Sequence, residues 1–124
     1  MTDADLIWLA GLLEGEGTFD MHKNKYPRIR VGMTDRDVVG RVATLLGTSI
    51  RMTISKVGYK PSYHAEMSGQ RAADMMWRLL PHMGARRSSK IGEILGRYEW
   101  LNNPVNNMTM PGPTLTRPPG IPER

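Results

Sequence analysis

The stretch from Asp3 to Glu14 reads as a helix without a polar side. Leu6, Leu9, Ala10 and Leu13 repeat at helical spacing and form one apolar face, while Ile7, Trp8, Gly11 and Leu12 occupy most of the remainder. A helix that is apolar all round is buried all round. The chain has 124 residues, enough for one modest core, and a core of that size covers one side of this helix. The other side needs a second body. Gly11 and Gly15 are four positions apart, so they share a side and allow another helix to come close. The same helix of a second copy, related by a two-fold axis, would close the assembly, with Leu9, Gly11, Leu12 and Gly15 as contact residues.

Beyond that helix the hydropathy pattern switches period. Thr18 to Lys23 alternates, with Phe19 and Met21 on one face and Thr18, Asp20 and His22 on the other; Arg28 to Met33 repeats this after a polar turn through Asn24 and Pro27. The pair is a hairpin. Thr34-Asp35-Arg36-Asp37 resembles a capping box with Asp in place of Glu, and opens a second helix carrying Val38, Val39, Val42, Leu45 and Leu46 up to Gly47. A second hairpin follows, with Ile50, Met52, Ile54, Tyr63, Ala65 and Met67 expected inward. Ser68 is the expected cap of a third helix, which places Ala72, Met75, Met76, Leu79 and Leu80 on one side before Pro81. A fourth helix is expected over Arg86–Tyr98. These elements predict an α+β fold, a four-stranded antiparallel sheet with helices on its apolar face. Residues 1–100 make the single domain; the proline-rich segment 101–124 is expected to be disordered.

Charge marks the other face of that sheet. Residues 1–20 hold five acids and no Lys or Arg, whereas residues 21–60 hold nine bases against two acids. Asp20, His22, Arg28, Arg30, Arg51 and Thr53 all fall on the polar side of the strands, a set suited to the major groove of DNA, where a two-stranded ribbon fits and Arg can bond guanine through two donors. Arg87 and Lys90 are candidates for neutralising flanking phosphates. The absence of cysteine excludes a disulfide framework, a thiolate metal site and a cysteine nucleophile. No apolar run approaches the roughly twenty residues of a membrane span, and acids at the start of the chain argue against a secretory signal, so an intracellular role is expected.

The segment Leu9-Ala10-Gly11-Leu12-Leu13-Glu14-Gly15-Glu16-Gly17 closely resembles the signature of the LAGLIDADG homing endonucleases, with Glu replacing both acidic Asp residues. The expected element order matches that family's αββαββα arrangement, and Leu79-Leu80-Pro81-His82-Met83-Gly84-Ala85-Arg86-Arg87 is similar to the segment that brings a basic residue towards its active centre. Glu14 and Glu16 point apart in a continuous helix, so they need different roles. Glu16, at a helix end where carbonyls are left unpaired, suits Mg²⁺ or a similar cation such as Mn²⁺. The resemblance makes Glu16 the metal-binding acid, the Gly15 carbonyl its neighbouring ligand, Arg86 the stabiliser of developing negative charge and Asp35 the residue that orients water. With one signature in the chain, the resemblance implies a homodimer cutting a palindromic or near-palindromic double-stranded DNA site. It further implies a phage, intron or other mobile-element origin. A DNA-binding regulator or an RNA-splicing maturase on the same scaffold, without cleavage, remains the alternative.

Overall fold

The computed structural model describes residues 1–54, 56, 58 and 60–103, and nearly all of the expected tail lies outside them. The first helix, α1 (Asp3–Glu16), is closed at its start by a reciprocal cap. The Asp5 N–H donates to the Thr2 hydroxyl and the Thr2 N–H to the Asp5 carboxylate, both at 3.0 Å. The helix runs two residues past the expected end and turns directly into β1 (Gly17–His22). Only glycine fits that passage, because a Cβ on Gly17 would sit 2.8 Å from the Leu13 carbonyl oxygen.

β1 pairs antiparallel with β2 (Tyr26–Met33), from Gly17 opposite Val31 to His22 opposite Tyr26. Lys23 and Asn24 take φ of 55° and 56° in the turn, the left-handed pair that matches the twist of a tight hairpin. Pro27 is not in the turn but buried within β2. Next comes α2 (Arg36–Leu46), ended by Gly47 at φ 71°. Its N-cap is Asp35 rather than Thr34, and the Asp35 side chain makes no capping bond. β3 (Arg51–Thr53) and β4 (Ser62–Ser68) form the second hairpin, and α3 (Gln70–Leu79) starts after Gly69 at φ 84°, not after a Ser68 cap. A 3₁₀ turn, Leu80–His82, leads to α4 (Ala85–Leu101), which extends past the expected Tyr98.

The strands lie in the order β1-β2-β4-β3, every neighbour antiparallel. Phe19, Ile29, Val31, Ala65 and Met67 point to the helical side and join Leu9, Leu13, Val39, Val42, Met76, Leu79 and Ile91 in one buried core. Each large aliphatic side chain buried there contributes about 1.5–3 kcal/mol. The architecture is α+β with an antiparallel sheet, as expected.

Two expectations about burial need correction. Met52 and Ile54 are 57% and 58% exposed, because β3 is a three-residue edge strand paired only with β4 and the helices do not reach over it. Within one chain α1 is buried on one side only: Leu9 is 0% exposed and Ile7 is 58% exposed. Leu9 therefore faces its own core and cannot supply the surface of a helix-to-helix contact.

Candidate nucleic-acid and metal site

Alternation puts Thr18, Asp20 and His22 of β1 beside Arg28, Arg30 and Gly32 of β2, then His64 and Glu66 of β4, then Arg51 and Thr53 of β3, all on the face away from the helices. The polar side chains bond to one another in three groups. Arg28 donates through Nε and Nη2 to the two Asp20 carboxylate oxygens at 2.9 Å each, and its Nη1 lies 2.8 Å from His22 Nδ1. Arg30 reaches the same carboxylate at 3.0 Å. The hydrogen bond from Arg28, reinforced by the charges of Arg28 and Arg30, holds the Asp20 carboxyl below the usual range, and the same bond raises Arg28. Arg51 pairs with Glu66 at 3.1 Å, and Thr53 Oγ1 lies 3.1 Å from His64 Nε2.

These contacts rank the bases by availability. The Arg28 side chain is 17% exposed, Arg30 44% and Arg51 70%. Arg30 and Arg51 flank a shallow depression of about 290 Å³ floored by Gly32 and edged by Thr18, His64 and Glu66. A Cβ on Gly32 would lie 2.7 Å from His64 Nδ1, so glycine here makes room for the imidazole. The exposed Lys23 and Lys25 on the turn between β1 and β2 extend the basic surface beyond the residues picked out from sequence. Their signal was the polar turn inside a basic segment, visible without any structural information.

The expected catalytic residues come from three segments at one end of the sheet. Glu16 is the last residue of α1, adjoining Gly17, which pairs with Val31; Asp35 follows the end of β2 on that side. Both are exposed. Arg86 is exposed in the first turn of α4, and α4 is tied to α1 nearby, because Glu14 Oε1 accepts the Gly84 N–H. Arg87 belongs to that tie. Its Nε donates to the Glu14 carbonyl at 3.2 Å and lies 3.8 Å from Glu14 Oε2. Arg87, expected to neutralise a flanking phosphate, is thus engaged by Glu14 within the chain. Lys90 is exposed one turn further on, lining a hollow of about 250 Å³ with Met21, Asn24 and Arg97.

The outer side of α1 is open. A Cβ on Gly11 or Gly15 would meet nothing within 4 Å, and Leu12 is half-buried. The Arg41 guanidinium stacks over the half-buried Trp8 ring at 3.9 Å from its centroid, bordering this surface. No helix among the described residues is long and apolar enough to cross a membrane.

A family model described as a LAGLIDADG-like domain matches residues 3–78. A search of curated proteins found none that matches. Among solved structures, the homing endonuclease I-CvuI, in complex with its target in the presence of 2 mM Ca, superposes with a TM-score of 0.61 at 16% identity, over 85% of this chain and 74% of that one. The homing endonuclease I-TnaI gives a TM-score of 0.57 at 13% identity, over 77% of this chain and 72% of that one. Identities this low speak for the fold alone. The family match spans more than half the chain and includes the signature at residues 9–17, and this protein belongs to the LAGLIDADG family.

Proposed function

We propose that the chain is a divalent-metal-dependent, site-specific double-strand DNA endonuclease acting as a homodimer on a palindromic or near-palindromic site. One observation carries this reading. Glu16, an exposed carboxylate without an ion-pair partner among the described residues, stands at the C-terminal end of a helix, where negative charge is electrostatically disfavoured. An acid kept in such a position suits a ligand that supplies positive charge. The donors available there, the Glu16 carboxylate and the Gly15 carbonyl, are hard oxygens of the kind Mg²⁺ and Mn²⁺ take. Among the described residues no three His, Cys, Asp or Glu gather into a metal-binding group, which suits a site completed by a second chain and by DNA oxygens. I-CvuI has been crystallised with DNA in the presence of 2 mM Ca or 2 mM Mg.

The remaining roles belong to this chain's own side chains. Arg30, Arg51 and Thr53 present donors to base edges, and Asp20 with His22 holds Arg28 in a fixed orientation. Lys90 offsets phosphate charge. Arg86 faces the negative charge that builds as the phosphodiester is attacked, and Asp35, whose side chain caps nothing, orients water. The divalent ion, when bound, lowers the pKa of water and withdraws charge from the phosphate. Gly11, Leu12 and Gly15 form the contact between two copies of α1, so that one Glu16 serves each DNA strand.

A randomised duplex library incubated with Mg²⁺ and sequenced at its ends tests the proposal. Cutting at one near-palindromic site, abolished by Glu16→Gln with binding retained, is the expected result. A protein that shifts this DNA but never nicks it is a regulator or maturase instead.

A further inference from the structure

The N-terminus of α4 has no cap of its own, since Gly84 at the N-cap position carries no side chain. The cap comes from α1. Glu14 Oε1 accepts the Gly84 N–H, Arg87 Nε donates back to the Glu14 carbonyl, and the carboxylate sits at the positive end of the α4 dipole. The fit is close, because a Cβ on residue 84 would stand 3.0 Å from Glu14 Oε1. Glu14 immediately precedes Gly15 and Glu16, and Gly84 precedes Arg86 by two residues. A single side chain therefore spans the gap between the segment holding the metal-binding acid and the segment holding the basic residue.

We infer that Glu14 is a positioning residue that sets Arg86 against the Glu16 carboxylate by clamping the first turn of α4 onto the last turn of α1. The inference rests on the endonuclease reading for its consequence and on the clamp geometry for its cause. Glu14 is not itself a ligand for the cation, as its carboxylate is engaged by Gly84 and Arg87 and a two-residue step along α1 turns it away from Glu16.

Two measurements test it together. Amide hydrogen exchange on the free full-length protein reads the clamp without any cleavage. Glu14→Ala should speed exchange in the first turn of α4 by about tenfold and leave Ile91 to Leu95 unchanged, while Glu14→Gln, which keeps an acceptor oxygen, should restore much of the protection. Single-turnover cleavage reads the consequence: Glu14→Ala should slow it about 10²-fold with DNA affinity in Ca²⁺ held within about threefold. The double variant Glu14→Ala/Arg86→Ala should be no slower than Arg86→Ala alone. If Glu14→Ala does not fold, Gly84→Ala, whose methyl presses on the same oxygen, should show the same pattern in weaker form. Unchanged exchange, or losses at Glu14 and Arg86 that multiply, overturns the inference. A wild-type protein that binds but never cuts overturns the endonuclease reading, while the exchange data still decide the clamp.

Discussion

Asp20 stands directly opposite Arg28 in the β1–β2 register, and both of its carboxylate oxygens accept from that one guanidinium at 2.9 Å. The pair is a bidentate, charge-assisted bond on a sheet face otherwise open to water. It fixes the least exposed arginine of the face and leaves Arg30 and Arg51, each held by a single carboxylate contact, as the more exposed bases.

The folded Asp20 carboxyl titrates below its unfolded counterpart, so its contribution to stability is present above the unfolded pKa and is lost as pH falls through the folded one. Asp20→Asn should lower the urea midpoint at pH 6–7 by an amount equivalent to about 1 kcal/mol, limited by solvent screening. The gap between variant and wild type should begin to close below about pH 4. Equilibrium denaturation at pH 7 and pH 3 checks this; a constant gap would show that the pair contributes nothing through its charge.

Gly32 gives way to the His64 ring, which a Cβ would meet at 2.7 Å. Gly32→Ala should push the imidazole outward and separate it from Thr53, with a stability change under about 1 kcal/mol because the ring is on an open face. The depression between Arg30 and Arg51 should narrow, changing site preference more than overall affinity. NMR of the His64 ring and a binding-site selection read the two effects.

Leu9 and Gly11 separate the two sides of α1. Leu9→Ala should destabilise the chain by about 2–5 kcal/mol, since the side chain is fully buried within it. A Cβ at Gly11 meets nothing within 4 Å, so Gly11→Leu should leave the fold of one chain intact. It should nevertheless abolish self-association in sedimentation experiments, and cleavage with it. Dimers of the Gly11→Leu variant would count against the helix-to-helix contact.

Glu16 lies at the negative end of the α1 dipole, in a last turn without Lys or Arg. Glu16→Gln should therefore raise the melting temperature of the metal-free protein by about 2–5 °C. Wild type should gain a further rise on adding Mn²⁺, and the same variant should lose it. Calorimetry with and without the cation measures both, and an equal response in the two proteins would place the ion elsewhere.

The strand faces were legible because a one-residue slip would turn Phe19, Ile29, Val31 and Met67 out to water, so burial dictates the register. Gly47 was legible for a similar reason, since its left-handed conformation favours glycine. Alternation states on which side Met52 and Ile54 fall but not how far the helices extend over them. The starts of α2 and α3 lie one residue beyond the expected ones because Thr34 and Asp35, or Ser68 and Gly69, are all residue types found at caps, and neither Asp35 nor Gly69 makes a side-chain capping bond that would mark it. At the candidate site, the signature exposed Glu16 and the open glycines. Nothing local could show that Glu14 meets Gly84, a contact across 70 residues whose two ends carry no shared pattern.

The first helix has its inner leucines in the core, its outer glycines bare and its terminal carboxylates at the candidate metal site and the clamp on the last helix. Fourteen residues with so many obligations leave little room for change. The solvent-facing side chains of the strands carry no such load, since Arg30, Arg51 and Thr53 stand outside the core. If the proposed endonuclease reading holds, retargeting this scaffold is a matter of rewriting one surface while the helix that carries Glu16 stays as it is.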